Sequence, residues 1–308
     1  SAVYSGLVSG DTFNGTYTGA FSDKNVGTGK TVTITPSYSG ADVSNYSITN
    51  HADVTANITA KSLTVSGVTA SDKTYDGSVT ATMNSSSAVY SGFVNGDDFA
   101  ASYSGVFANA NVGSGKTVTI TSSYAGADVS NYNITDQTST TANISAKALT
   151  ATASASNKVY DGSSAATSTL TLSGFVGSET VTSTNSSTFN NKNAGTGKTV
   201  TVNSITLADG TNGGLAANYS ISTGQTTTAN VTAKALTVSG ITASNKVYDS
   251  TTNATTVLSF SGLIGSETIN NTNSSTFDNK NIGTGKTVTV NSLTLVAVSY
   301  THLTLPTN

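Results

Sequence analysis

The sequence predicts an all-β protein, a tandem array of immunoglobulin-like antiparallel β-sandwich repeats forming an elongated rod. Three observations carry that expectation. The first is composition: of 308 residues only 9% are charged, 29 are Gly and 2 are Pro, and Ser, Thr, Asn, Ala and Val dominate the rest. That mixture favours strands and turns over helices. The second is alternation. In KTVTVNSITL (198–207), Val200 and Val202 fall on one face and Thr199 and Thr201 on the other, and Val118 and Ile120 follow the same rule, as a half-buried strand requires. The third is repetition at the scale of a small domain.

The segment NVGTGKT (25–31) returns as NVGSGKT (111–117), NAGTGKT (193–199) and NIGTGKT (281–287). Its lysines, Lys30, Lys116, Lys198 and Lys286, are 86, 82 and 88 residues apart by subtraction. Tyr-Asp recurs as Tyr75-Asp76, Tyr160-Asp161 and Tyr248-Asp249, and TANITAK, TANISAK and TANVTAK end at Lys61, Lys147 and Lys234. Boundaries placed after those lysines give repeats at 1–61, 62–147, 148–234 and 235–297. Ser1 aligns with Ser87, so the first repeat is expected to be truncated at its N-terminus, and the fourth at its C-terminus. Residues 298–308 leave the register and hold His302 and Pro306; Val298 to Thr307 resemble a translated sequencing adapter, and 298–308 are expected to be a non-native tail.

About 86 residues with roughly six or seven strands suits a two-sheet sandwich, roughly 35 to 40 Å long. Further strands are expected through Leu236 and Val238, Leu170 and Leu172, Tyr219 and Ile221, and Ala229 and Val231. A tyrosine corner is expected where Asp precedes a strand Tyr by four residues: Asp42 with Tyr46 and Ile48, and Asp128 with Tyr132 and Ile134. The third repeat keeps Tyr219 and Ile221 but has Leu215 at the Asp position. Joints such as ANVTAKALTV read as strand passing into strand, giving a quasi-linear array.

Composition also excludes function classes. All 13 positive charges are Lys and the net charge is -3, a poor match to nucleic acid, whose binding needs a basic surface and is sharpened by Arg. Cys is absent, so there is no disulfide framework and no thiolate metal site. No apolar run approaches the roughly 20 residues of a membrane-spanning helix. His51 has no counterpart in the other repeats, which argues against a Ser-His-Asp set, and Glu179 and Glu267 read as solvated edge charges.

Several motifs invite chemistry and are read structurally. NxGTGKT resembles a phosphate-binding loop, but the required upstream Gly is Lys24, Ala110, Lys192 or Lys280, and a strand rather than a helix follows. It is expected to be a hairpin turn, with Gly113 and Gly115, Gly195 and Gly197, and Gly283 and Gly285 supplying positive-φ backbone. Tyr75-Asp76-Gly77, Tyr160-Asp161-Gly162 and Tyr248-Asp249 read as structural turns, in which Tyr160 can bury its ring while its hydroxyl stays wet or bonded. Gly96-Asp97-Asp98, Asp23 and Asp278 could furnish oxygens to calcium but lack a dense ligand spacing. A Lys-Asn covalent bond, with Lys158 and Asn218 as the first pair to check, and a ligand platform built on Tyr4 and Tyr90 are the remaining alternatives.

With TYDG (74–77), KVYDG (158–162) and KVYDS (246–250), followed by Thr/Ala-rich strands, NxGTGKTV and TANxTAKALTV, the chain resembles tandem YDG repeats over residues 1 to about 295. Ser250 departs from the motif, so that turn is expected to differ. The resemblance implies a large secreted bacterial surface protein of filamentous-haemagglutinin type, extracellular and serving as adhesin stalk or spacer. No enzymatic activity and no cofactor are expected from the residues. Adjacent repeats of the same chain, together with an unknown host, matrix or cell-surface ligand, would be the partners; the alternative function is multivalent carbohydrate or protein binding.

Overall fold

The structure is a computed structural model that describes residues 2–296; the expected non-native tail at 298–308 lies outside the described residues. Strands fill the fold, and its helical content among the described residues is three single 3-10 turns, Val43–Asn45, Val129–Asn131 and Ala216–Asn218. The chain divides into two compact units. One comprises Ser1–Lys147 with Val176–Ser178 and Ala217–Ser220; the other comprises Ala148–Phe175, Glu179–Ala216 and the residues from Ile221 onward.

In the first unit, residues 61–145 form a two-sheet sandwich. A five-stranded sheet runs in the order Lys73–Thr74, Ser139–Ser145, Gly113–Ala125, Ala100–Phe107, Thr80–Ala81. A second sheet runs Tyr132–Thr135, Lys61–Ser66, Val89–Ser91. The spine is the hairpin of Ala100–Phe107 with Gly113–Ala125, in register from Ala100 opposite Ala125 to Phe107 opposite Val118. Alternation then decides which face is sealed: Val118 and Ile120 are buried between exposed Thr117 and Thr119. Val65 and Val68 meet Ile120 in the core, and Tyr90, Tyr103, Tyr124, Met83 and Ile134 pack around them. Burying one such Val contributes about 1.5–3 kcal/mol, so a core this thin leans on its aromatic neighbours. Phe99 provides them, with ring centroids 5.6 Å from Tyr90, 5.4 Å from Tyr124 and 6.1 Å from Tyr132. Ahead of this sandwich, Asn14–Phe21, Gly27–Ser39 and Val54–Ile58 repeat the same hairpin and last strand as a three-stranded sheet.

The expected antiparallel pattern needs one correction. Tyr132–Thr135 pairs parallel with Lys61–Ser66, and Ser139–Ser145 pairs parallel with Lys73–Thr74. Both pairs join the beginning of a repeat to its end, where the intervening chain is long enough to serve as the crossover that parallel strands need.

The second unit repeats the plan. Its five-stranded sheet runs Lys158–Val159, Thr226–Thr232, Gly195–Asp209, Val181–Phe189, Ala165–Ala166, beside the pair Thr150–Ala155 and Ser168–Ser173. Phe189, Val200, Ala229 and Val231 form the buried centre, joined by Ala155, Tyr160 and Ala166. Leu170 and Leu172 are half-buried on one face of their strand. The fourth repeat contributes Asn253–Ala254, Asn270–Phe277 and Val288–Val296 in one sheet and Thr237–Ala243 with Thr256–Ser261 in another. Here the expected inward pattern through Leu236 and Val238 fails, since Leu236 precedes the strand and Val238 is 41% exposed. Their counterparts Leu63 and Val65 are sealed, in a strand that Tyr132–Thr135 flanks, and no matching strand covers Val238 among the described residues.

Candidate functional site: the lysine-caged YDG turn and the joint it forms

The Tyr-Asp-Gly turn is organised by a lysine three residues before its Asp. Lys73 Nζ donates to Asp76 Oδ1 (2.7 Å), the Ser78 carbonyl (2.7 Å) and the Thr80 carbonyl (3.2 Å). Lys158 does the same with Asp161 (2.8 Å), the Ser163 carbonyl (2.8 Å) and the Ala165 carbonyl (2.9 Å). Lys246 reaches Asp249 (2.8 Å) and the Thr251 carbonyl (2.9 Å). Three donors on a compact ammonium suit a cage of carboxylate and carbonyls. Each ammonium also sits over a phenylalanine ring, at 5.5 Å from buried Phe107, 5.6 Å from buried Phe189 and 5.7 Å from half-buried Phe277. The Asp completes the turn by accepting the backbone N–H two residues on, from Ser78, Ser163 and Thr251.

The ammonium, then that backbone N–H, holds the carboxyls of Asp161 and Asp249 down at about 2. An unfolded Asp titrates near 3.9. A depressed folded value gives stability that is present above the unfolded value and lost as pH falls through the folded one. Thermal unfolding is therefore expected to hold between pH 7 and 5 as far as these groups are concerned, then to weaken from about pH 4 to about pH 2. Melting temperatures that stay level across that acid window would contradict the cage.

Gly77 and Gly162 close their turns with φ of +77° and +78°. Ser250 stands at the same place with φ +67°, so the expectation of a different turn there is corrected: the backbone is kept, and Ser bears the strain. Glycine at the other two positions has a second cause. A Cβ on Gly77 would lie 2.8 Å from Val176 Cγ1, and one on Gly162 would lie 2.9 Å from Ile264 Cγ2. The motif's tyrosines share this face. Tyr75 is buried with its ring 5.6 Å from that of Tyr219, edge to face. The Tyr160 hydroxyl donates to the Glu267 carboxylate, which first of all raises its pKa, and Lys192 lies 3.9 Å from the same carboxylate. Tyr248 is 53% exposed.

The Asn-x-Gly loop accepts an asparagine from the corner of the next repeat. Asn131 Oδ1 takes the Val26 N–H (2.9 Å) and its Nδ2 donates to Asn25 Oδ1 (3.2 Å). Asn218 repeats both bonds, to the Val112 N–H (2.9 Å) and Asn111 Oδ1 (3.1 Å), and is fully buried. A buried amide is tolerated only when paired in this way. Lys24 adds ion pairs to Asp128 and then Asp97, each 2.9 Å, which hold its pKa above the usual lysine range.

The corner that supplies this asparagine is held by the tyrosine after it. The Tyr46, Tyr132 and Tyr219 hydroxyls accept the N–H of Val8 (2.9 Å), Val94 (3.0 Å) and Val176 (3.0 Å). In the first two repeats they also donate to Asp11 (2.5 Å) and Asp97 (2.6 Å). Asp42 and Asp128 grip the same loops through the N–H groups of Thr12 and Asp98, both 2.9 Å. An immunoglobulin tyrosine corner bonds a few residues upstream; these bonds span 38, 38 and 43 residues, so the expected corner is corrected to a long-range clasp. Where Leu215 stands in place of the Asp, the close backbone approach common to all three corners remains: a Cβ on Gly214 would lie 1.9 Å from the Thr180 carbonyl oxygen, as one on Gly40 or Gly126 would lie 2.3 or 2.2 Å from that of Thr12 or Asp98, and Asp209 caps the Ala216 N–H at 2.7 Å. Removing the hydroxyl with Tyr132→Phe is expected to cost about 1 kcal/mol, read as a lower denaturation midpoint of that repeat; an unchanged midpoint would exclude the clasp.

The GTGK segments are not the hairpin turns expected. In the first three repeats they lie in the strand after the turn and form a bulge, with register shifts between Gly27 and Lys30, Gly113 and Lys116, and Gly195 and Lys198, while in the fourth the segment precedes the strand Val288–Val296. The second glycines, Gly29, Gly115, Gly197 and Gly285, have φ between +58° and +64°, whereas Gly113, Gly195 and Gly283 do not have positive φ. Those first glycines instead clear the lysine stem: a Cβ on Gly113 would lie 3.3 Å from Lys116 Cδ. The ammonium then crosses to the preceding turn, Lys116 to Asn109 Oδ1 and Lys286 to Asn279 Oδ1 at 2.6 Å each. Asn57, Asn143 and Asn230 of the closing TAN segments accept the second glycine's N–H at 2.9, 2.8 and 2.7 Å. That bond is why the two motifs recur together.

Other candidates find partners of their own. Lys158 bonds within its cage and Asn218 bonds to Val112 and Asn111, so the pair proposed for a covalent link is engaged elsewhere. Asp23 pairs with Lys30, Asp278 with Lys286 at 2.8 Å, and Asp98 caps Ala127 N–H at 2.9 Å. Tyr4 and Tyr90 are half-buried, their hydroxyls each 3.1 Å from that of Tyr17 or Tyr103; they belong to aromatic cores rather than to an exposed platform. His51 is exposed, with Nδ1 on the Ala52 carbonyl.

Recurring sandwiches with a recurring turn, clasp and joint define a tandem-repeat β protein. The chain belongs to the YDG domain family, whose model matches residues 1–56, 59–141, 145–229 and 232–301. Neither a curated protein nor a solved structure matches it.

Proposed function

We propose that these repeats are a structural spacer of a secreted or surface-exposed bacterial adhesin, holding a binding region away from the cell. The observation that carries this reading is the joint made twice with the same chemistry, Asn131 on Val26 N–H and Asn218 on Val112 N–H at 2.9 Å each. A geometry reproduced from one joint to the next is what a mechanical array needs, since its stability is a sum over repeats and neighbour interfaces. The recurrent polar residues support the same reading, because their atoms are used to close turns and joints. Small-angle X-ray scattering of the chain is expected to give a maximum dimension that approaches the summed length of its sandwiches, at roughly 35 to 40 Å each, with or without calcium. A compact particle, or extension only with calcium, would overturn the spacer. The surface location is tested by protease access to the chain on intact producing cells; full protection would overturn it.

A further inference from the structure

The aromatic cores of the first two repeats bring tyrosine hydroxyls together in pairs. Tyr103 donates to the Tyr90 hydroxyl and Tyr17 to the Tyr4 hydroxyl, each at 3.1 Å. Packing alone does not need these phenols. In the third and fourth repeats Leu172 and Phe260 stand where Tyr90 does. Asn185 and Asn273 come four residues before Phe189 and Phe277, as Tyr103 comes before Phe107, and each of these rings lies opposite the same valine position. Asn185 there donates to Ser168 Oγ at 3.1 Å, and Asn273 Oδ1 accepts from Thr256 at 2.6 Å. One place in the fold is thus filled by two phenols in one kind of repeat and by none in the other.

A third tyrosine stands beside each pair, and its acceptor differs. Tyr124 lies opposite Ala101, diagonal to Tyr103 across the hairpin, packs in the same core and donates to the Asp136 carboxylate. Tyr38 holds that place in the first repeat, its ring 6.1 Å from that of Tyr17, but it donates to Asn50 Oδ1 at 3.0 Å. Asp136 and Asn50 are both exposed. A carboxylate takes up a proton from a phenol that is being oxidised; a neutral amide does not. Burial, then the Tyr90 hydroxyl and Tyr124, pushes the Tyr103 phenol above the usual tyrosine range, so the cluster is protonated at neutral pH and its oxidation must release protons.

We propose that Tyr90 and Tyr103 are an oxidative cross-linking site, at which hydrogen peroxide and a haem peroxidase join the two rings carbon to carbon, with Asp136 as the proton acceptor. Tyr124 gives an electron to the peroxidase and its proton to Asp136, then takes a hydrogen atom from Tyr103, which in turn takes one from Tyr90. Asp136 returns its proton to water, and a second round leaves phenoxyl radicals on Tyr103 and Tyr90. The radicals couple between ortho carbons, and the ortho hydrogens move to the oxygens as the rings regain aromaticity. The two electrons and two protons lost reduce one peroxide to two waters. The product ties Val89–Ser91 of one sheet to Ala100–Phe107 of the other, a covalent staple in a chain without Cys.

The test is to treat the dilute full chain with a haem peroxidase and hydrogen peroxide, cleave the monomer at Asp97 or Asp98, between the two tyrosines, and map it by mass spectrometry. A linked pair of peptides carrying Tyr90 and Tyr103, two hydrogen atoms lighter than their sum, is expected. It is expected to vanish in Tyr90→Phe, a ring that the fourth repeat carries at this place as Phe260. Asp136→Asn, which gives the second repeat the amide of the first, is expected to slow the link at least about tenfold, and Asp136→Glu to restore it. Absence of the link, or a link that forms as fast in the urea-unfolded chain, would overturn the site; an unchanged rate in Asp136→Asn would overturn its proton acceptor.

Discussion

Replacing Lys158 by Met is expected to destabilise the third repeat by about 2–3 kcal/mol. Met keeps the stem's packing and contact with the Phe189 ring but removes every bond of the ammonium, which binds Asp161 and two carbonyls from a side chain only 18% exposed. The Ser163 and Ala165 carbonyls lose their lysine donor at the sheet edge. Asp161 is about half exposed and rehydrates, so the loss falls short of the cost of stranding a buried charge. Lys158→Arg is not expected to rescue, because a planar fork cannot place three donors on one point. Because the repeats need not unfold as one transition, the readout is hydrogen exchange of the Thr226–Thr232 amides, with the Ser139–Ser145 amides as internal reference. Loss of protection confined to the former is the expected result; a change under about 0.5 kcal/mol would show that the turn closes without its lysine.

The legible part of this protein was what repeats and what alternates. Val118, Ile120, Val200 and Val202 point inward as their spacing requires, since a period of two admits only one buried face. Around Val238 the local pattern misleads, because burial depends on what lies opposite, which a local pattern does not record. Parallel seams such as Ser139–Ser145 on Lys73–Thr74 were invisible for a related reason, joining segments some 70 residues apart. At the site, turns were expected at Tyr75, Asp76 and Gly77, but not the lysine that organises them. The signal was present in the lysine three residues before each Asp. That signal is ambiguous in a sequence because lysine is usually a solvated surface residue. The joint asparagines Asn131 and Asn218 carried a weaker signal, Asn before the clasp tyrosine, as also at Asn45. Their role appears only when the Val26 and Val112 N–H groups come within reach.

Gly77→Val is expected to be the most damaging single change at a joint, about 3 kcal/mol, because two independent penalties meet at one atom. A β-branched residue is strained at φ +77°, and its Cβ would sit 2.8 Å from Val176 Cγ1. The two can be separated. Ser250 carries the same backbone strain at φ +67°, so Ser250→Gly is expected to stabilise the fourth repeat by about 1 kcal/mol. Gly77→Ser should cost more than Ser250→Gly gains, and the excess is the collision. Combining Gly77→Ser with Val176→Ala should recover about 1 kcal/mol relative to the sum of the single changes, as expected for residues in contact. A purely additive double mutant would mean that the glycine serves its turn alone. A recovered one would mean that the motif's glycine is set by the neighbour it receives, and that the turn and the joint are one device.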